Sequence, residues 1–295
     1  MTEEGGTPVN SIANSIADPS VVQTGIALQA SQVTIGYEQR TIITELSVDI
    51  PVDRVTAIVG PNACGKSTLL RGFARLLKPA AGQVILDGHD IAALHTKEVA
   101  RRLGLLPQTS IAPDGITVAD LVARGRFPHQ KVLRQWSPAD AEAVADAMCY
   151  TGVTELSARL VDELSGGQRQ RVWVAMVLAQ QTPLILLDEP TTYLDIAYQV
   201  ELLDLFAMLN HEHNRTVVAV LHDLNQACRY ADKLIVMKSG KIVAQGNPNS
   251  VMTTDLIGEV YGLQCQIIDD PQTGTPLIVP RASQYARTVT ARAPR

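Results

Sequence analysis

Gly60-Pro61-Asn62-Ala63-Cys64-Gly65-Lys66-Ser67, followed by Thr68, is the stretch that most narrows what this chain can fold into. It has a glycine, four variable residues, then glycine, lysine and serine. It directly follows Val55–Val59, a short β-branched run. Each residue type answers a demand of phosphate chemistry. The glycines let backbone N–H groups turn inward around phosphate oxygens. A helix opening at Lys66 aims its positive end at the same oxygens. Lys66 can reach the β and γ phosphates, and the Ser67 hydroxyl can serve Mg²⁺. The stretch predicts a strand, a nucleotide-cradling turn and a helix from Lys66 to about Leu77. Cys64 admits two readings. A thiol near a lysine and a helix start could have a lowered pKa; the other reading, which the tight turn favours, is a small residue that fits.

The rest of the chain supplies a sheet for that turn. Residues 26–37 (IALQASQVTIGY) and 46–51 (LSVDIP) read as strands near the N-terminus, as do 82–87 and 103–106. Residues 138–180 turn helical and interrupt the alternation, like an inserted subdomain at about 110–180. After it come the apolar strand Leu184–Asp188, a helix from Ile196 to about His211, a strand from Thr216 to His222, a helix over Leu224–Tyr230 and the strand KLIVM. Strands alternating with helices predict a largely parallel, buried sheet. The expected organisation is a flexible leader over 1–26, one globular unit over 27–280 and a flexible basic tail over 281–295.

Composition removes several function classes. The chain has 295 residues, a net charge of -5 and a pI near 5.7, so no bulk positive charge offers itself to nucleic acid. Cys64, Cys149, Cys228 and Cys265 lie far apart, which suggests neither a zinc site nor a disulfide framework. The N-terminal stretch lacks the basic and apolar regions of a signal peptide. No apolar run is long enough to span a membrane. A cytosolic protein is expected, held at a membrane only by a partner.

A second site follows from LILLDEP. Asp188 and Glu189 close a buried strand downstream of a phosphate loop. In such ATPases the first acid belongs to the Mg²⁺ shell and the second polarises the attacking water. Many ATPases share these two features. What separates this chain from most of them is Leu164-Ser165-Gly166-Gly167-Gln168 ahead of a helical run. Two adjacent glycines bare the backbone and the helix adds its dipole, which makes a second anion site.

With that stretch the chain resembles the ATP-binding subunits of ABC transporters, over residues 27 to 280. The resemblance implies an α/β fold of the P-loop NTPase type. That is an ABC-type ATPase core with an N-terminal antiparallel β part and an inserted α-helical subdomain. It implies that Tyr37 stacks on adenine and that Gln108, in LPQ, approaches Mg²⁺ near the membrane partner. Ser165, Gly166, Gly167 and Gln168 would cap the ATP of a second subunit. Asp195, in Thr192-Tyr193-Leu194-Asp195, would lie in the loop joining the two active sites. His222, in VLHD, would contact the γ-phosphate. Gly60, Pro61, Asn62, Ala63, Cys64, Gly65, Lys66, Ser67 and Thr68 would hold ATP. Ser67, Gln108 and Asp188 would serve Mg²⁺, with Glu189, His222 and Lys66 as the catalytic groups.

Finer resemblance, in DEPTTYLDIAYQ and LHDLNQACRYAD and in the ending YGLQCQIIDDP with GTPLIVP, is to ATPases of iron–siderophore importers. It implies a homodimer when ATP is bound and a separate transmembrane permease. A siderophore-binding protein would act indirectly, and the chain would sit peripherally on the cytoplasmic face. The same motor for cobalamin or haem import remains an alternative. A non-transport ABC ATPase is disfavoured by the single phosphate loop, the single signature and the lack of a heptad run.

Overall fold

The computed structural model describes residues 25–38, 40–130, 136–192 and 194–281. The expected leader up to residue 24, all of the tail except Arg281, and Tyr193 lie outside the described residues; Ile26, placed at the leader's end, already begins the first strand.

Two sheets organise the fold. The first is antiparallel: β1 (Ile26–Tyr37), β2 (Arg40–Pro51), then, after the phosphate loop, β4 (Ala81–Leu86) and β5 (His89–Asp90), in the order β2-β1-β4-β5. The second is mostly parallel and holds β3 (Val55–Val59), β6 (Leu103–Leu106), β7 (Leu184–Asp188), β8 (Thr216–Val220), β9 (Lys233–Lys238) and β10 (Lys241–Gly246). Its order is β10-β9-β3-β8-β7-β6, and only β10 runs antiparallel to its neighbour.

The uniform apolarity of β3, β7 and β8 now has its reason: every residue of all three is buried, because the sheet is covered on both faces. Successive side chains alternate between two cores. Leu184, Leu186, Val218 and Val220 join one with β1, β2 and the Leu69, Leu70 and Phe73 face of α1 (Lys66–Phe73). Ile185, Leu187, Val217 and Ala219 join the other with the helices on the far side.

Those helices follow α2 (Thr96–Arg102), which precedes β6. They are α3 (Val118–Ala123), α4 (Pro138–Tyr150), α5 (Gly166–Ala179), α6 (Ile196–His213), α7 (Leu224–Tyr230), α8 (Pro248–Val251) and α9 (Thr254–Tyr261). The chain closes with a hairpin of β11 (Cys265–Asp269) and β12 (Pro276–Pro280). A buried ion pair fastens the α3–α5 layer. Arg126 Nε meets Asp140 Oδ1 at 2.8 Å, and Arg126 Nη1 donates to Ala179 O and Gln181 Oε1. Asp140 also completes the capping box of α4 with Ser137.

The expected boundaries move at three places. The helix after the phosphate loop stops at Phe73, because Leu76 and Leu77 N–H both close on Arg71 O and Arg75 adopts φ 60°. The second strand begins at Arg40, whose residues find partners along all of β1. The strand expected to reach His222 ends at Val220, where its pairing with β3 and β7 ends.

Candidate functional site

Every loop that carries a predicted catalytic group leaves the C-terminal edge of the parallel sheet. The phosphate loop follows β3, His222 follows β8, Asp188 and Glu189 close β7, and Gln108 follows β6. These four strands are contiguous in the order β3-β8-β7-β6, so residues up to 162 apart in sequence meet along one crevice. Ligands of open α/β sheets bind at this edge.

The phosphate loop is wound as the sequence requires. Gly60 has φ 153°, and a Cβ there would lie 2.2 Å from Met237 O, so no larger residue fits the turn. Gly65, just before α1, has φ 107°, a conformation that residues with side chains rarely adopt. Lys66 is 5% exposed, and its ammonium donates to Gly60 O at 2.9 Å and Pro61 O at 3.0 Å. A buried cation is thereby held by two carbonyls of the loop that is to cradle phosphate. Thr68 is buried behind it, while Asn62 and Ala63 are exposed.

Cys64 belongs to the packing side of the turn. Its thiol is buried among the apolar residues between α1 and the two sheets. Burial raises its pKa above the ordinary thiol value, outweighing the opposing pull of the Lys66 charge. Of the two readings of Cys64, burial therefore favours the small filler over a thiol activated by Lys66.

The β7 acids are divided by environment. Asp188 is buried and accepts a hydrogen bond from Ser67 Oγ at 2.8 Å, which joins the phosphate loop to β7 across β8. Burial pushes its pKa up, against the Ser67 bond and the Arg71 charge. Glu189 turns out of the strand at φ 55°, a sparsely populated conformation for a residue with a side chain. Its N–H is held by Val220 O at 3.2 Å. The turn delivers its carboxylate between two partners: Gln108 Nε2 donates to Oε2 at 2.6 Å, and His222 Nε2 meets Oε1 at 2.6 Å. Gln108 thus meets Glu189, the neighbour of the acid whose Mg²⁺ shell it was expected to share.

Tyr37 ends β1 as an exposed residue, and its hydroxyl accepts from Arg71 Nη1 of α1 at 3.0 Å. An aromatic face is so held beside the phosphate-loop helix. No sequence signal marked Arg71.

Ser165 to Gln168 are placed differently. Ser165 caps α5: its hydroxyl accepts from Gln168 N–H and the Gln168 side chain returns to Ser165 N–H. Around Gly166 a Cβ would meet nothing within 4 Å. The turn is exposed, yet its helix is tied to Pro190, just after the acid pair, and to α6. Gln170 Nε2 donates to Pro190 O at 3.0 Å, and the Arg171 guanidinium lies 4.6 Å from the Tyr198 ring centre. Asp195 is exposed and caps α6 through Tyr198 N–H.

The oxygen set fits a divalent cation. Ser67 Oγ and Asp188 Oδ1 converge beside the phosphate loop, and the Gln108 amide meets Glu189, the residue after Asp188. Mg²⁺ is characteristically held by one or two such oxygens together with substrate phosphates and water.

A two-sheet α/β fold with a phosphate loop, a strand-end acid pair and a capped glycine turn defines a transport-type ATPase cassette. The family model described as "ABC transporter" matches residues 43–192, and the chain belongs to that family. It is 57% identical over 253 residues to the ferric enterobactin transport ATP-binding protein FepC of Escherichia coli, covering 86% of this chain and 93% of that protein. Among solved structures it resembles a metal-chelate type ABC transporter in an inward-facing conformation, with a TM-score of 0.75 and 27% identity over 88% of this chain and 99% of that one. It also resembles the dimeric bacterial ABC transporter cassette MJ0796, with a TM-score of 0.68 and 26% identity over 75% and 98%.

Proposed function

We propose that the chain binds and hydrolyses ATP to drive import of a ferric siderophore through a separate membrane permease. The observation that carries the ATPase part is the Glu189 carboxylate, held 2.6 Å from both Gln108 and His222 beside the phosphate loop. The siderophore part rests on kinship with the enterobactin relative over most of both chains.

In this reading Tyr37 receives the adenine, and the 60–68 loop with Lys66 receives the phosphates. Ser67, Asp188 and Gln108 would hold Mg²⁺, which would supply neutralisation of phosphate charge. Glu189 orients a water and takes its proton as the water oxygen bonds to the γ-phosphorus. The bond from that phosphorus to the β-phosphate oxygen breaks, giving ADP and phosphate. His222 holds Glu189 and, with Lys66, stabilises charge on the transferred group.

The turn at Ser165, Gly166, Gly167 and Gln168 caps the ATP of a second copy, and Asp195 lies where the two copies meet. The dimeric cassette structure supports the pairing of two copies. The helices between about 110 and 180 form one subdomain that receives the permease. Among the described residues no helix is long and apolar enough to cross a membrane. The chain sits on the cytoplasmic face through that partner.

The test is uptake of radiolabelled ferric siderophore in iron-starved cells whose own copy is replaced by Glu189→Gln. Loss of uptake is expected, together with purified protein that binds ATP and hydrolyses it on the order of a thousandfold more slowly. Unchanged uptake would remove the siderophore, and unchanged hydrolysis would remove Glu189 as the base.

A further inference from the structure

Two glutamines outside the site join its Leu194–Asp195 turn to the helix that follows His222. Gln199, in the first turn of α6, donates Nε2 to Leu194 O at 2.9 Å, the residue before Asp195. Its Oε1 accepts from Gln226 Nε2 of α7 at 2.9 Å. Gln226 N–H donates to Asp223 Oδ1 at 3.0 Å, and Asn225 N–H to the same oxygen at 2.8 Å. Asp223 is the cap of α7 and directly follows His222. Hydrogen bonds therefore run from the Leu194–Asp195 turn through Gln199 to the Gln226 side chain on α7, the helix whose cap, Asp223, directly follows His222. Asn225 anchors the near end to the terminal hairpin through Ile278 N–H and O, at 2.7 and 3.3 Å.

The series has a direction. Leu194 O can only accept, so Gln199 must present its NH₂ to it and its oxygen to Gln226. Gln226 must then donate. If Gln199 turned its amide to suit an acceptor at 226, its oxygen would face Leu194 O. Both side chains are half-buried, where a mismatched amide has less water to repair it.

We propose that Gln199 and Gln226 are positioning residues that fix His222 against Glu189 according to the state of the Leu194–Asp195 turn. Engagement of that turn by a second copy is then felt at the imidazole that touches the base. This rests on the proposed reading of Glu189 and His222 as hydrolytic groups. It gives Gln199 and Gln226 no contact with ATP, so substrate affinity is left alone.

The test uses the purified full-length chain in steady-state ATP hydrolysis, with Gln226→Glu, Gln226→Leu, Gln199→Leu and the double Leu variant beside Glu189→Gln. Gln226→Glu keeps the size of the side chain and reverses its polarity. Each single variant should lower kcat about tenfold, the effect of one lost positioning hydrogen bond, with KM for ATP within about twofold. The double variant should be no slower than the slower single one, because both cut one series. Thermal midpoints are read alongside, and a kcat loss that scales with the loss of midpoint across the variants would overturn the proposal in favour of simple packing. So would losses that multiply in the double variant. Normal turnover in the glutamine variants with turnover lost in Glu189→Gln would overturn this proposal alone. Normal turnover in Glu189→Gln would overturn the underlying reading and this proposal with it.

Discussion

The chain contains two glycine-bearing turns that open helices, and they are finished to different degrees. At Gly60–Ser67 the side chains are spent within the same chain: Lys66 on two loop carbonyls, Ser67 on Asp188, Cys64 in the core. At Ser165–Gln168 the cap is self-contained, and Gly166 looks into open space. The first turn has its strand, its acid and its packing supplied by this chain. The second has a helix dipole and backbone that is exposed at Gly166, where a Cβ would meet none of the described residues within 4 Å. Two turns of similar chemistry, one enclosed and one open, fit the proposed sharing of a nucleotide between two copies.

Adding a methyl group breaks the comparison most directly. Gly60→Ala places a Cβ 2.2 Å from Met237 O in a φ 153° turn, so the loop must rebuild. Loss of ATP binding is expected, with destabilisation of about 1–3 kcal/mol from backbone strain. Equilibrium binding of a fluorescent ATP analogue and a urea titration check the two parts. Gly166→Ala meets nothing within 4 Å in its own chain, so folding and ATP binding should be unchanged. On the proposed reading its hydrolysis should nevertheless fall more than about tenfold, as a methyl group would intrude where a second copy's phosphate approaches. Full hydrolysis in Gly166→Ala would mean that the open turn faces water and not a nucleotide.

A smaller effect sharpens the same contrast. Ser165→Ala removes the acceptor for Gln168 N–H and should cost about 1 kcal/mol, read as a lower urea midpoint. Its ATP affinity should stay at the starting value, since the enclosed turn is untouched. A change in affinity would place Ser165 beside the nucleotide of its own chain.

How much of this was legible in the sequence follows from the same division. The parallel sheet was readable because β3, β7 and β8 are buried on both faces and carry unbroken apolar runs. The phosphate loop, the acid pair and the glutamine-ended signature were readable because their spacing is dictated by local chemistry. The end of α1 was not, since Arg71 O closes it through backbone bonds that any sequence can make. Arg126 with Asp140 was not, since each looks like a surface charge until α4 and α5 meet over them. Gln199 and Gln226 were not, since two amides 27 residues apart carry no mark of their pairing. The terminal hairpin was not resolved into strands, because its outward residues, such as Ile268 and Val279, are apolar and exposed.

The smallest expected effect lies in the enclosed turn, at Cys64. Proximity to Lys66 would make it a reactive thiol if charge decided the matter, but burial decides it the other way and raises the pKa. At pH 7.5 less of this thiol is ionised than of an ordinary one. Alkylation by iodoacetamide should therefore be slower than at the exposed Cys149, and the rate at Cys64 should climb only as pH rises past the ordinary thiol range. Mass spectrometry of the two peptides over a pH series measures both. Cys64→Ser should hydrolyse ATP within about twofold of the starting rate, because the turn asks for a small side chain and not for sulfur chemistry. Rapid labelling of Cys64 at neutral pH, slowed by ATP, would show that the turn opens to solvent when no nucleotide is bound. The contrast between an enclosed and an open turn would then belong to the nucleotide-bound state alone.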